Sequence, residues 1–365
     1  MILKNFGSTY AGERVLVTGH TGFKGSWLCE WLLQLGAEVH GLALEPDTVP
    51  SLFRQLGLAQ RLNHMVADIR DPEAVATAFA AARPRVVFHL AAQPLVRRSY
   101  QQPQETFATN VMGTANVLEA TRTSDQPCAA VVVTSDKCYE NLETGRDYRE
   151  DDALGGHDCY SASKAAAEIL TSSYRRSFFL DHADKSVASA RAGNVIGGGD
   201  WAEDRIVPDC IRHLLKGEPV PVRNPRATRP WQHVLEPLSG YLQLGAHLLD
   251  GSLRGGVDGR GAAASAFNFG PGPGSDRSVQ ELVEELLRSW EGTWENKSDP
   301  SAPHEAHRLS LDTSKAAKVL GWTPHWDFAR TVRETADWYR DASDLTSPSQ
   351  FQELTRGQIE AYSAA

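Results

Sequence analysis

Short apolar runs dominated by valine and alanine recur through the first two-thirds of the chain, with helical spacing between them. RVLVTG (14–19), EVHGLAL (38–44), MVADIRD (65–71), RVVFHLAA (85–92), AAVVVTS (129–135) and SVASARAGNVIG (186–197) read as strands. KGSWLCEWLLQLGA (24–37), DPEAVATAFAAA (71–82), the segment 106–121 and YSASKAAAEILTSSYRRSFF (160–179) read as helices. Strands apolar on both faces must be covered on both sides, and parallel neighbours need a long crossover, usually a helix. The chain therefore predicts an α/β fold, a Rossmann-like doubly wound parallel sheet. After Gly198 the pattern loosens and becomes rich in Pro, Arg and Trp, which predicts a smaller mixed α/β substrate-binding domain. On this reading 1–197 plus about 233–270 form the sheet domain, and about 198–232 plus 271–365 form the second. RGGVDGRGAAAS (254–265) predicts a surface loop before the strand AFNFG.

Composition removes several function classes. A net charge of −9 gives no general attraction for nucleic acid. No apolar run approaches the roughly 20 residues of a membrane span. The opening MILKNFGSTYAGER has no long apolar segment of the signal-peptide kind, so the expected compartment is the cytoplasm. Five cysteines without CxxC spacing argue against a disulfide framework or zinc knuckle, and no His/Cys/Asp cluster predicts a metal. Cys138 and Cys159, His20 and His157 lie near the motifs below but read as structural or solvated residues.

VLVTGHTGFKGSWL places Gly19, Gly22 and Gly25 between the first strand and the first helix, in GxxGxxG spacing. Residues without a Cβ let backbone approach a pyrophosphate, and the helix N-terminus then supplies amides and partial positive charge. Glu45 stands at the end of the second strand, roughly 20 residues beyond the last glycine, where a carboxylate can take both adenosine-ribose hydroxyls. It would repel a 2′-phosphate, so NAD is expected rather than NADP. Asp68, ending the next strand, is a candidate adenine contact; either acid taken alone could equally be solvated loop.

VVVTSDKCYEN (131–141) runs a buried strand into Ser135, Asp136 and Lys137, a hydroxyl, a carboxylate and an amine side by side. In DCYSASKAAAE, Tyr160 and Lys164 are four apart at the start of a helix and share a face. A lysine ammonium near a phenol lowers the phenol's pKa, so Tyr160 is expected to remove a proton from a substrate hydroxyl.

VTGHTGFKG, HLAAQ, TN at 109–110, the hydroxyl before DK, YSASK and RAGNVIG occur in the order seen in extended short-chain dehydrogenases/reductases, and the chain resembles that family over essentially its whole length. The resemblance implies NAD held and recycled, a nucleotide-sugar-binding second domain, and a homodimer or dimer-based oligomer through paired helices. It assigns Gly19, Thr21, Gly22, Phe23, Gly25, Glu45, Asp68, Ile69, Leu90, Ala91, Ala92, Gln93, Thr109, Tyr160 and Lys164 to the cofactor. Within the family, HLAAQPLVRRSY, TSDKCYEN, RAGNVIGGGDWAEDRIVPD and RPWQHVLEPLSGYL resemble the 4,6-dehydratase branch that takes CDP-glucose. Such an enzyme oxidises the sugar at C4, eliminates water across C5–C6 and returns hydride to C6, supplying deoxysugar synthesis of the lipopolysaccharide kind.

By that resemblance Ser135 bonds the sugar O4, Tyr160 is the base there with Lys164 beside it, and Asp136 protonates the departing C6 hydroxyl. Related dehydratases carry glutamate where this chain has Lys137. An ammonium cannot accept a proton, so Lys137 must be neutral to act as the C5 base; otherwise it positions Asp136 or stabilises enolate charge. Asn194, Arg205, Arg223 and Arg229 are expected on the substrate, Arg226 lies near, and Arg97 and Arg98 could reach the sugar or a neighbouring subunit. A nucleotide-sugar 4-epimerase would share the turn, Ser135 and the Tyr160–Lys164 pair without needing Asp136 and Lys137 for elimination. A non-catalytic NAD-binding sensor would not need Tyr160 and Lys164.

Overall fold

The computed structural model describes residues 6, 8–142, 145–180, 182, 184–250, 262–298 and 309–365. Seven parallel strands form the central sheet: β1 (Arg14–Thr18), β2 (Glu38–Ala43), β3 (Asn63–Val66), β4 (Val86–His89), β5 (Cys128–Val133), β6 (Lys185–Ala192) and β7 (Ala266–Phe269). Their spatial order is β7-β6-β5-β4-β1-β2-β3. The order reverses between β1 and β4, and a ligand crevice opens at the carboxyl ends of strands flanking such a point. Every residue of β4 and β5 is buried, as a strand covered on both faces requires.

Helix α1 (Phe23–Gln34) follows β1 and stops where Gly36 takes φ +80. Helix α2 (Pro72–Ala82) starts with a proline in its first turn behind Asp71, whose side chain caps Glu73 and Ala74. The helix expected over 106–121 differs. Helical structure begins at Val96, and a π-turn at Ala108–Gly113 joins Pro103–Phe107 to α3 (Thr114–Thr123). Helix α4 (Cys159–Tyr174) is capped by Asp158, whose side chain accepts from Ser161, and also runs into a π-turn.

Beyond Gly198 the chain is more helical than its composition suggests. Helices span Ile206–Leu214, Leu235–Asp250, Val279–Ser289, Ser314–Leu320, Phe328–Ala342 and Pro348–Ser363. Two short ribbons, Thr228–Pro230 with Asp276–Ser278 and Val220–Val222 with Trp294–Asn296, complete the lobe above the strand ends. Leu235–Asp250 lies on β4, β5 and β6, and Pro348–Ser363 lies along α1, where buried Glu30 holds Arg61 and Arg356. In the expected loop 254–265, residues 254–261 lie outside the described residues.

Candidate active site

The turn after β1 is shaped by what a side chain would strike. Gly19 has φ +76, and a Cβ there would lie 2.7 Å from the backbone nitrogen of Ala91 on the neighbouring strand's exit loop. A Cβ on Gly25 would collide with the carbonyl of Gly19. Gly22 is the N-cap of α1 and contributes no side-chain cap, so the first-turn amides suit an anion. Thr21 Oγ1 donates to the Leu44 carbonyl at 2.9 Å and ties the turn to β2. Exposed Glu45 lies 3.7 Å from Arg54. Asp68 accepts from the Arg70 guanidinium at 2.8 and 2.6 Å; burial works to raise its carboxyl, but the Arg70 bonds prevail and hold it below the usual range.

The loop after β4 is fixed from both sides. Ala91 N–H donates to Thr18 Oγ1 at 3.3 Å, and buried His89 bridges Thr18 (2.7 Å) and Thr114 (3.0 Å). Gln93 N–H donates to Asn110 Oδ1 at 2.8 Å, while Asn110 Nδ2 donates to the Gln93 carbonyl (3.1 Å) and to Ser163 Oγ (2.9 Å). Asn110 thus joins the cofactor-side loop to α4. It completes the TN pair at 109–110, whose Thr109 lines the cleft.

The 3₁₀ turn Asp136–Cys138 starts at the end of β5 with Ser135 as its cap, accepting from the Lys137 N–H at 3.2 Å and donating to Asp136 Oδ1 at 3.0 Å. Asp136 is buried, and a Cβ on Gly193 would sit 2.6 Å from its Oδ2. Only glycine at 193 leaves room for that carboxylate. Half-buried Lys137 has no side-chain hydrogen bond among the described residues and faces the cleft.

Tyr160 enters from the first turn of α4 beside Ser135. Burial pushes its phenol up to about 12; Ser135 and Arg205 oppose this, while Asp136 and Asp158 add to it. Lys164 corrects the expectation drawn from its spacing. Its ammonium donates to the Val133 carbonyl at 3.4 Å rather than toward the phenol, and is not among the charges that lower Tyr160. Burial brings Lys164 down to about 8 against the opposing pull of Glu168 and Cys138.

The irregular lobe brings the cations. Arg205 pairs with Asp200 at 2.8 Å, and Asp204 Oδ1 accepts from both Arg97 (2.9 Å) and Arg223 (3.1 Å), linking the β4 exit loop to the lobe across the cleft mouth. Arg229 Nη1 donates to the Thr228 carbonyl at 2.8 Å, and Arg98 Nε donates to Gln102 at 2.9 Å. His20 is buried and bonded to His64 at 2.7 Å, whereas His157 is exposed. Lys24, in the first turn of α1, was missed within the glycine motif. Burial and then Arg205 lower it to about 8, against Asp136 and Asp200.

One cleft of about 780 Å³ gathers these groups, and every catalytic, cofactor-binding and substrate-binding residue named from the sequence lines it. No group of three or more metal-binding side chains occurs among the described residues. No helix among them is long and apolar enough to cross a membrane.

Residues 16–248 match the family described as GDP-mannose 4,6 dehydratase. The chain is 46% identical to a CDP-glucose 4,6-dehydratase of Salmonella typhimurium over 93% of each protein. It is 32% identical to a dTDP-glucose 4,6-dehydratase of Streptomyces antibioticus, over 90% of this chain and 92% of that one. Its fold superposes with a TM-score of 0.73 and 25% identity on a dTDP-glucose 4,6-dehydratase from Streptomyces venezuelae solved with NAD, covering 90% of this chain and 97% of that one.

Proposed function

The chain belongs to the GDP-mannose 4,6 dehydratase family, and from that membership we propose that it is an NAD-dependent CDP-D-glucose 4,6-dehydratase, a hydro-lyase forming CDP-4-keto-6-deoxy-D-glucose. The observation that carries the reading is the convergence at the end of β5. A hydroxyl, a buried carboxyl and an amine follow one another at Ser135–Lys137 and share a cleft with a phenol at the head of α4. A 4-epimerase uses the hydroxyl and the phenol but has no proton to deliver at C6; here Asp136 has a seat that Gly193 leaves open for it.

The residues present fit a dinucleotide. The glycine cradle excludes side chains where a pyrophosphate must approach, the uncapped start of α1 offers amides, and Glu45 stands at the end of β2 for ribose hydroxyls. Bound NAD supplies the acceptor for hydride from sugar C4 and its return to C6. Ser135 hydrogen-bonds O4, and Tyr160 takes the O4 proton. Its phenol, high in the cofactor-free protein, needs cationic company to ionise; Arg205 is the cation that lowers it here, and Lys164 stands one helical turn away. The C4 ketone acidifies the C5 proton, which Lys137 removes in its neutral form, while Asp136 protonates the leaving C6 hydroxyl. Arg205, Arg223 and Arg229, with Asn194, hold the diphosphate and sugar; guanidinium forks match phosphate oxygens in pairs.

The enzyme acts as a homodimer in the cytoplasm and feeds deoxysugar synthesis for a surface polysaccharide. An apolar groove supports the dimer: Pro103, Phe107, Val111, Met112 and Ala166 line it, with Phe107 38% and Met112 58% exposed. Such a face on two adjoining helical segments suits self-association.

The test is to offer the purified protein CDP-, dTDP-, GDP- and UDP-hexoses separately and follow mass. Loss of one water from CDP-glucose alone is the expected result. Loss from another nucleotide sugar would overturn the substrate, and an isomerised sugar of unchanged mass would replace the dehydratase with an epimerase.

A further inference from the structure

Tyr160 and Lys164 are two steps of a longer series, because Glu168 follows at the next helical turn and shares their face of α4. Glu168 is buried, yet its two oxygens are fully engaged. Oε1 accepts from Thr134 Oγ1 at 2.5 Å, and Oε2 accepts from Ser189 Oγ at 2.8 Å and Arg191 Nη2 at 2.8 Å. Arg191 Nη1 continues to Tyr139 Oη at 2.7 Å, and Tyr139 Oη donates to Asn268 Oδ1 at 2.7 Å. Thr134 immediately precedes Ser135, Arg191 stands two residues before Gly193, and Tyr139 closes the turn that carries Asp136 and Lys137. One carboxylate therefore ties together the three segments on which the proposed chemistry depends.

We infer that Glu168 is the positioning residue of this site: its carboxylate fixes the ends of β5 and β6 against α4 and supplies the negative charge that Lys164 faces. This rests on the dehydratase reading for what is positioned, but not for the contacts themselves. Among the described residues no carboxylate is bonded to Lys164, and its ammonium donates to the Val133 carbonyl. The titratable groups around it are Glu168 on its own helix, Cys138 on the 3₁₀ turn, Lys24 on α1 and His89 on β4. Of these, Glu168 is the foremost influence favouring the ammonium, and Arg191 lies on the far side of that carboxylate. Lys164 and Tyr160 line one cleft a helical turn apart, so the charge that Glu168 favours is presented to whatever binds there.

Charge and reach separate by substitution. Glu168→Gln combined with Arg191→Met removes both charges without stranding either; the amide oxygen accepts from one of the Thr134 and Ser189 hydroxyls, and the amide nitrogen donates to the other. Glu168→Asp keeps the charge and shortens the arm. Tryptophan fluorescence during NAD titration from pH 6 to 10 reads Lys164 with no sugar present, and thermal melts report folding. The double variant is expected to lose NAD affinity at a pH about one unit below wild type. Its kcat at pH 8 is expected to fall about tenfold with KM for the sugar nearly unchanged. Glu168→Asp is expected to keep the wild-type pH midpoint and lose kcat, and it decides the question if the double variant does not fold. A folded double variant with the wild-type midpoint, or Glu168→Asp with full kcat, would overturn the inference. Failure of wild type to dehydrate CDP-glucose would defeat the functional reading instead, and the NAD titration would still report on Glu168.

Discussion

At the end of β5 the chemistry is decided residue by residue. Asp136 owes its place to an absence, the missing Cβ of Gly193 on the adjoining strand's exit. Sequence spacing showed that Ser135, Asp136 and Lys137 leave a buried strand together, because three successive polar groups conflict with the valines before them. It could not show which way Lys164 points, since four-residue spacing puts two side chains on one face without aiming either. The high phenol of Tyr160 follows from burial first, a quantity set by tertiary packing that four-residue spacing does not record. Lys137 is the residue to test at this scale. Lys137→Ala is expected to pass hydride to NAD, seen as a rise at 340 nm, and then stall, with dehydration at least about a hundredfold slower. Dehydration at the wild-type rate would remove Lys137 as the C5 base.

At the scale of elements, the glycine turn was the most legible part, because its sequence and its sterics make the same demand. Gly19 carries φ +76 and lies against the Ala91 backbone, so both conformation and space exclude a side chain. Gly19→Ala is expected to cost about 1–2 kcal/mol from the left-handed backbone alone. It should also weaken NAD binding at least about tenfold, measured by fluorescence titration. A variant with wild-type affinity would mean that the cofactor does not press into this turn. The helix over 106–121 was less legible. Its π-turn serves Asn110, whose bonds to the Gln93 loop and to Ser163 are tertiary. Periodicity within one segment carries no record of such partners. The helices after Gly198 carry apolar spacing of their own, as VQELVEELLRS (279–289) shows; what obscures them is the Pro- and Arg-rich stretch between 215 and 234, which dominates the composition of the lobe.

Across the whole molecule, one fold supports both the cleft and a common acid sensitivity. His20, His89 and His233 are each buried and lowered to about 3, by burial first and then by His64, Lys164 and Arg330 respectively. The folded protein holds them neutral, whereas the unfolded chain protonates them below about 6.5. Stability is therefore intact above the unfolded value and is lost as pH falls from about 6.5 toward 3. Each histidine removes up to about 1.4 kcal/mol per pH unit over that window. Calorimetric Tm is expected to drop by several degrees between pH 7.5 and 5; a flat profile would mean these rings are hydrated or paired in solution. The doubly wound order could be expected from strand–helix alternation because parallel strands leave few alternatives. The latch of Arg97 and Arg223 on Asp204 could not, since its Arg97 arm joins residues 107 positions apart.

The central claim is that one bound cofactor carries a hydride from C4 to C6 of the same sugar while water leaves. CDP-[4-²H]glucose, with product analysed by NMR and mass spectrometry, addresses it directly. The account predicts loss of one water with deuterium recovered in the C6 methyl group. Deuterium still at C4 in an isomer of unchanged mass would contradict it.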